Sequence, residues 1–277
     1  MKRAFLYLIA AALLLASCDK EDYPAPSGNE GAPMDTLHVD PPDTTFNDGL
    51  IINAVVDYDG NTYDAVRLGH QIWMASNLRT THYAKGQEIP VGDTHEQDSL
   101  PFCYPPHENA ALFGYYYNWI AAMDGCNSTN NNPSGVQGVC PDGWHLPSDA
   151  EWVELLTYIG SRSEYVCSGN AANTGKALAT DYGWVGSNGS NLCNVGYYVN
   201  ENNATGFSGY PAGECFPGLS IVYQELGMET YFWTTTKNEN IPFGYDICSR
   251  TIMCDQSIVG QSYSRPGWYY SVRCLKN

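Results

Sequence analysis

The chain has 277 residues, 43% of them hydrophobic and only 16% charged, with 27 glycines, 16 prolines and 21 tyrosines. This composition excludes a disordered chain or a coiled coil and predicts a loop-rich globular protein. The 13 Lys and Arg against 30 Asp and Glu leave a net charge of −17, which argues against nucleic acid as a partner, and the 10 cysteines, none in a C-x-x-C pair, predict an exported, oxidising location.

Lys2 and Arg3 precede an apolar run over residues 4–16, shorter than the roughly 20 residues of a membrane span, so residues 1–17 read as a cleaved signal peptide. Leu15-Ala16-Ser17-Cys18 resembles the bacterial lipobox, which implies cleavage before Cys18 and its acylation. Several acyl chains hold a protein on a membrane where one is marginal, and this anchor is the only membrane contact expected. Asp19-Lys20-Glu21-Asp22 is similar to the signal that sends lipoproteins of the Bacteroidota to the outer face of the outer membrane. Residues 18–49 form an acidic stretch with Pro24, Pro26, Pro33, Pro41 and Pro42 that cannot bury a core, and they read as a flexible tether reaching up to about 90 Å. Asp35-Thr36-Leu37, Asp43-Thr44-Thr45 and Asp98-Ser99-Leu100 resemble O-glycosylation sites of the same bacterial group.

Residues 50–277 alternate apolar and polar positions between turn signals, carry no repeat of fixed period and read as one domain. Strands are predicted over 51–56, 63–68 and 71–74, with turns at Asp59-Gly60 and Gly69-His70, making a short β-meander. Asp57-Tyr58-Asp59-Gly60-Asn61 has calcium-binding side chains in the wrong order for an EF-hand, and Asp, Gly and Asn are what a tight turn requires; no metal is expected. Ser148 and Glu151 form a capping box, and Trp152, Leu155, Leu156 and Ile159 follow on one face of the predicted helix, with Gly160 placed for a left-handed C-cap. On that helix Asp149 complements the dipole and Glu154 faces solvent. His145 reads as a hydrogen-bonded structural residue, and Trp144, Trp152 and Trp233 as core.

Several stretches then carry a resemblance. Asp57 to Tyr63, Gln71-Ile72-Trp73-Met74-Ala75-Ser76-Asn77-Leu78, Cys140-Pro141-Asp142-Gly143-Trp144-His145-Leu146-Pro147-Ser148, Gly206-Phe207-Ser208, Phe232-Trp233-Thr234-Thr235-Thr236 and Tyr270-Ser271-Val272-Arg273-Cys274 occur in the order seen in the Fibrobacter succinogenes major paralogous domain, which they resemble. The resemblance implies a C-type lectin-like α+β fold related to formylglycine-generating enzymes, with twisted antiparallel strands, a few flanking helices and long loops. It also implies a Cys140–Cys274 disulfide, because those positions adjoin in the lectin-like fold. Cys126 is the nearest competitor for Cys140, and Cys248 with Cys254 could close a small loop of their own.

The family has no established activity. Formylglycine-generating enzymes use a C-terminal cysteine pair, whereas residues 262–274 offer only Cys274, so no catalytic residue and no cofactor are expected. The calcium-dependent lectin motifs are missing too: no Glu-Pro-Asn precedes Phe232-Trp233-Thr234-Thr235-Thr236, which itself lacks Trp-Asn-Asp. Aromatic stacking is the remaining means of holding a sugar, and Tyr223, Tyr231, Tyr245, Trp268 and Tyr269 lie near predicted loops, the last two after an expected hairpin turn at Arg265-Pro266-Gly267. The resulting expectation is a surface lipoprotein that binds a glycan or a surface protein without catalysis. The alternative is a structural or adhesion subunit of a surface assembly.

Overall fold

The first three strands follow from alternation and turn chemistry. β1 (Gly49–Val56), β2 (Thr62–Leu68) and β3 (Gln71–Met74) form the expected antiparallel meander. Asp57 closes its first turn by accepting from the Asn61 backbone N–H and Nδ2, each at 2.9 Å, and from the Tyr63 hydroxyl at 2.5 Å. Asp59 accepts from Thr80 Oγ1 and the Thr81 N–H, so protein donors already occupy the carboxylates that might have suggested calcium. The computed structural model describes residues 48–91, 100–106, 109–187, 189–216, 222–241 and 244–277. The signal peptide, Cys18, the tether as far as residue 47 and the Asp98-Ser99 glycosylation match lie outside them.

The chain continues through β4 (Cys103–Tyr104), α1 (Ala110–Phe113), β5 (Tyr116–Asn118), α2 (Trp119–Met123), β6 (Trp144–His145), α3 (Asp149–Gly160), α4 (Gly175–Leu178), β7 (Glu214–Phe216) and β8 (Val222–Gln224). It ends with β9 (Glu229–Lys237), β10 (Ile247–Met253), β11 (Gly260–Ser264), β12 (Tyr269–Tyr270) and β13 (Leu275–Lys276). Three sheets result, ordered β1-β2-β3-β13-β6, β11-β10-β9 and β4-β5-β12-β7-β8, and the named strands pair antiparallel throughout. This is a sheet-rich α+β architecture. Leu275 pairs with both Trp73 and His145, so the last strand completes the sheet that the first three begin.

Cys140 and Cys274 are joined across that sheet, with Cα atoms 5.9 Å apart and a sequence separation of 134. Closing so long a loop stabilises the domain by about 4 to 5 kcal/mol on the chain-entropy estimate, an upper value. A second disulfide, Cys167–Cys193, was not foreseen from the sequence. Cys248 and Cys254 are free and buried, contrary to the small loop considered for them. Six residues of extended chain set them roughly 20 Å apart, far beyond the reach of one disulfide.

Trp144, Trp152 and Trp233 are buried as expected. Trp152 packs with Trp73, Phe207 and Phe232 beneath α3, while Trp144 and Trp233 lie in a separate cluster with Tyr63, Tyr117 and Tyr270. The α3 capping box is formed: Ser148 Oγ accepts from the Glu151 N–H at 3.2 Å, and Glu151 Oε2 accepts from the Ser148 N–H at 2.8 Å. Gly160, however, is the last helical residue and no left-handed cap; Ser161 follows in right-handed backbone. Glycine is required there for another reason, since a Cβ would stand 2.6 Å from the Ala171 carbonyl oxygen. Asp149 does more than complement a dipole: it is buried, pairs with Arg250 Nε at 2.7 Å and accepts from Gln261 Nε2 at 3.0 Å, tying α3 to β10 and β11. Arg265-Pro266-Gly267 is a tight turn closed by the Trp268 N–H on the Arg265 carbonyl, but it joins strands of different sheets and is not a hairpin.

Candidate functional site

The turn Pro141-Asp142-Gly143-Trp144 closes with the Trp144 N–H on the Pro141 carbonyl, and Gly143, at φ +78°, lets the chain reverse into β6. That reversal brings β6, the edge strand of its sheet, beside the first turn of α3. Between them and the loop at 132–137 opens a cleft of about 420 Å³, inside the range of about 300 to 1,000 Å³ typical of small-ligand sites. Its lining includes Gln71, Asn132, Trp144, His145, Glu154 and Asn277.

The polar groups of the cleft are held in place. His145 contacts Glu151 Oε1 through Nε2 at 2.8 Å and Asn277 Oδ1 through Nδ1 at 2.7 Å. Glu151 Oε2 is taken by the backbone N–H groups of Ser148 and Ser134. Gln71 donates to the Glu151 carbonyl at 3.0 Å and accepts from Trp73 Nε1 at 2.9 Å. At the rim Asn132 Nδ2 donates to Glu154 Oε2 at 2.6 Å, so Glu154 is half-buried and does not simply face solvent. His145 is the hydrogen-bonded residue expected, yet it also faces a cavity that no sequence signal announced. The His–Glu pair is of a kind that could move protons, but both ring nitrogens are engaged and none of the cleft's lining residues is Ser, Thr or Cys.

The five aromatic residues expected to hold a ligand do not converge. Tyr269, 3% exposed, and Tyr231, 9% exposed, are buried in strands. Tyr231 stacks on Tyr270 with centroids 4.7 Å apart and donates to Glu229, and Tyr269 packs against Tyr104. Alternation along a strand gives no hint of which face the tertiary structure covers. Tyr223 is half-buried in β8, its hydroxyl on the Pro105 carbonyl at 2.6 Å. Only Tyr245 and Trp268 form a surface ledge: their rings meet edge-on at 5.8 Å, Phe216 lies 6.0 Å from Trp268, and the Arg265 guanidinium sits 4.6 Å over Tyr245.

Among the described residues no group of three or more His, Cys, Asp or Glu is placed to hold a metal. Burial pushes the Cys103 and Cys248 thiols up to about 12, which keeps them protonated and unreactive at neutral pH. Nor is any helix among the described residues long and apolar enough to cross a membrane.

Fold and cleft together define a disulfide-braced, sheet-rich α+β domain with a preformed pocket of small-ligand size. The chain belongs to the Fibrobacter succinogenes major domain family, whose profile matches residues 66–276. Neither a curated protein nor a solved structure matches it.

Proposed function

We propose that this domain binds a glycan or a surface protein without catalysis, on a C-type lectin-like plan, and that lipid on Cys18 holds it at the outer face of the outer membrane. The cleft between β6 and α3 carries the binding reading. It combines apolar wall from Trp144 and Leu275 with amides from Gln71, Asn132 and Asn277 and the carboxylate of Glu154, a set suited to orienting a ligand rich in hydroxyl or amide groups. Saturation of the His145–Glu151 pair supports binding over proton transfer. The insertion of β13 between β3 and β6 supports the lectin-like plan, since it brings both ends of the domain into one sheet.

A glycan and surface-protein array probed with the full chain tests this. A ligand whose affinity drops at least tenfold in an Asn132→Ala, Glu154→Gln double variant is the expected result. A ligand that binds both chains equally would move the site elsewhere. The exposed apolar residues of β1, Leu50, Ile52 and Val56, favour the second reading, a subunit of a surface assembly, because an uncovered apolar edge strand invites pairing. An array with no ligand, together with self-association of the chain, would select that reading. For the anchor, Cys18→Ala is expected to release the protein from the membrane fraction; a variant that withstands a carbonate wash would refute lipidation as its attachment.

A further inference from the structure

β1 is interrupted where it crosses Asp64. Ile51 pairs with Ala65 and Val55 with Tyr63, so three residues of β1 face one of β2. Asn53 lies in this bulge at φ +51°, a left-handed conformation that Asn tolerates better than most side chains, and its N–H donates to Asp64 Oδ1 at 2.8 Å. Bulges at sheet edges re-aim side chains and are frequent beside functional sites.

Here the bulge borders a second cavity, about 550 Å³, which shares no lining residue with the cleft at Trp144. Thr62, Asp64 and Val66 alternate along β2 and so present one face to it. Asn53 and Ser76 flank them, and Asn203 contributes from the opposite loop. That loop is fixed from below by Arg273, which donates to the carbonyls of Phe207 and Ser208. The Asn53 side-chain amide and the Thr62 and Ser76 hydroxyls have no hydrogen-bond partner among the described residues.

The chemistry of the lining selects a ligand class. Asp64 is its only charged residue, so an anion is repelled. An apolar ligand would desolvate the side chains of Asn53, Thr62, Asp64, Ser76 and Asn203 and offer them no hydrogen bond in return. A polyol ring matches them: the carboxylate accepts from a hydroxyl, the amides donate, and the Ser and Thr hydroxyls do either. We propose that this cavity is a binding site for a neutral saccharide, independent of the cleft at Trp144.

Chemical-shift titration of the full chain tests it, using D-glucose, D-galactose, D-mannose and N-acetylglucosamine singly, with D-glucuronate as the charged comparison. At least one neutral sugar should shift the amide signals of Asn53, Asp64 and Ser76, and an Asn53→Gly, Ser76→Ala double variant should bind it at least tenfold more weakly. Glycine keeps the bulge, because it adopts positive φ without strain, and an unchanged spectrum elsewhere verifies the fold. Glucuronate should leave these signals in place. The proposal is overturned if none of the four sugars moves these amides, if the double variant binds as well as the parent chain, or if glucuronate binds equally well. Shifts confined to the surroundings of Trp144 would also overturn it while leaving the cleft reading intact.

Discussion

Arg273 shows how much one side chain organises. It is 1% exposed and has no carboxylate partner among the described residues, yet every guanidinium N–H is used. Nε donates to Asn77 Oδ1 at 3.1 Å, Nη1 to the carbonyls of Met74 and Phe207, and Nη2 to Asn77 Oδ1 at 2.8 Å and the Ser208 carbonyl at 3.0 Å. The rings of Phe207 and Phe232 cover the guanidinium, at 4.5 and 5.5 Å. Burial without a counter-charge pushes its pKa down to about 9, still high enough to remain charged at neutral pH. Arg273→Lys keeps the charge but has fewer donors and no planar fork. With buried carbonyls left unmet at about 1 to 3 kcal/mol each, the substitution is expected to cost about 3 kcal/mol or more. Urea unfolding checks this: the midpoint should fall with the slope unchanged, and an unmoved midpoint would mean that lysine satisfies the same acceptors.

Among the elements, α3 has consequences at both ends. Its capping box does local work, since each partner satisfies an N–H that the first turn leaves open. Yet Glu151 also fixes His145 at the cleft, and the adjacent Asp149 anchors the helix to β10 and β11 through Arg250 and Gln261. The far end carries the opposite kind of constraint. Glycine at position 160 costs helix stability of about 1 kcal/mol relative to alanine, and it is needed because the Ala171 backbone passes too close for a side chain. The β1 bulge is comparable: it interrupts the ladder and places Asn53 over the second cavity.

At the scale of the whole molecule, the abundance of buried tyrosine sets an alkaline limit. Burial raises the pKa of Tyr63, Tyr116, Tyr117, Tyr231 and Tyr270 above the usual phenol value. Below about pH 10 the phenols are neutral folded or unfolded, and they add no pH dependence. Above it the unfolded chain releases protons that the folded chain retains, so stability falls as pH rises. One pH unit beyond that point the five together cost about 7 kcal/mol. Arg273 acts with the opposite sign, because its unfolded form keeps a proton that the folded form gives up, but it returns only about 3 kcal/mol. The tyrosines win, and a loss of about 4 kcal/mol approaches the stability of an ordinary domain. Phenolate absorbance and loss of near-ultraviolet circular dichroism are expected to rise together between about pH 10 and 11. Phenolate appearing gradually while the tertiary signal persists would contradict this.

The meander, the capping box and the buried tryptophans were legible in the sequence because each rests on chemistry within a few residues: alternation, Ser148 with Glu151, an apolar helical face. The acidic balance and the family were legible as well, from composition and from runs of adjacent residues. The cleft was not, because its contacts join Gln71 to Glu151, 80 residues apart, and His145 to Asn277, 132 apart. Nor could alternation tell a covered tyrosine from an exposed one: Tyr269 and Tyr245 look alike in sequence, and only the packing of Phe113, Tyr116 and Cys215 around Tyr269 buries the first, while Tyr245 stays at the surface. Local hydrogen bonding and hydrophobic periodicity thus determined the meander and α3. The cleft was decided by the return of β13 between β3 and β6, a pairing whose free energy exists only once distant segments have met.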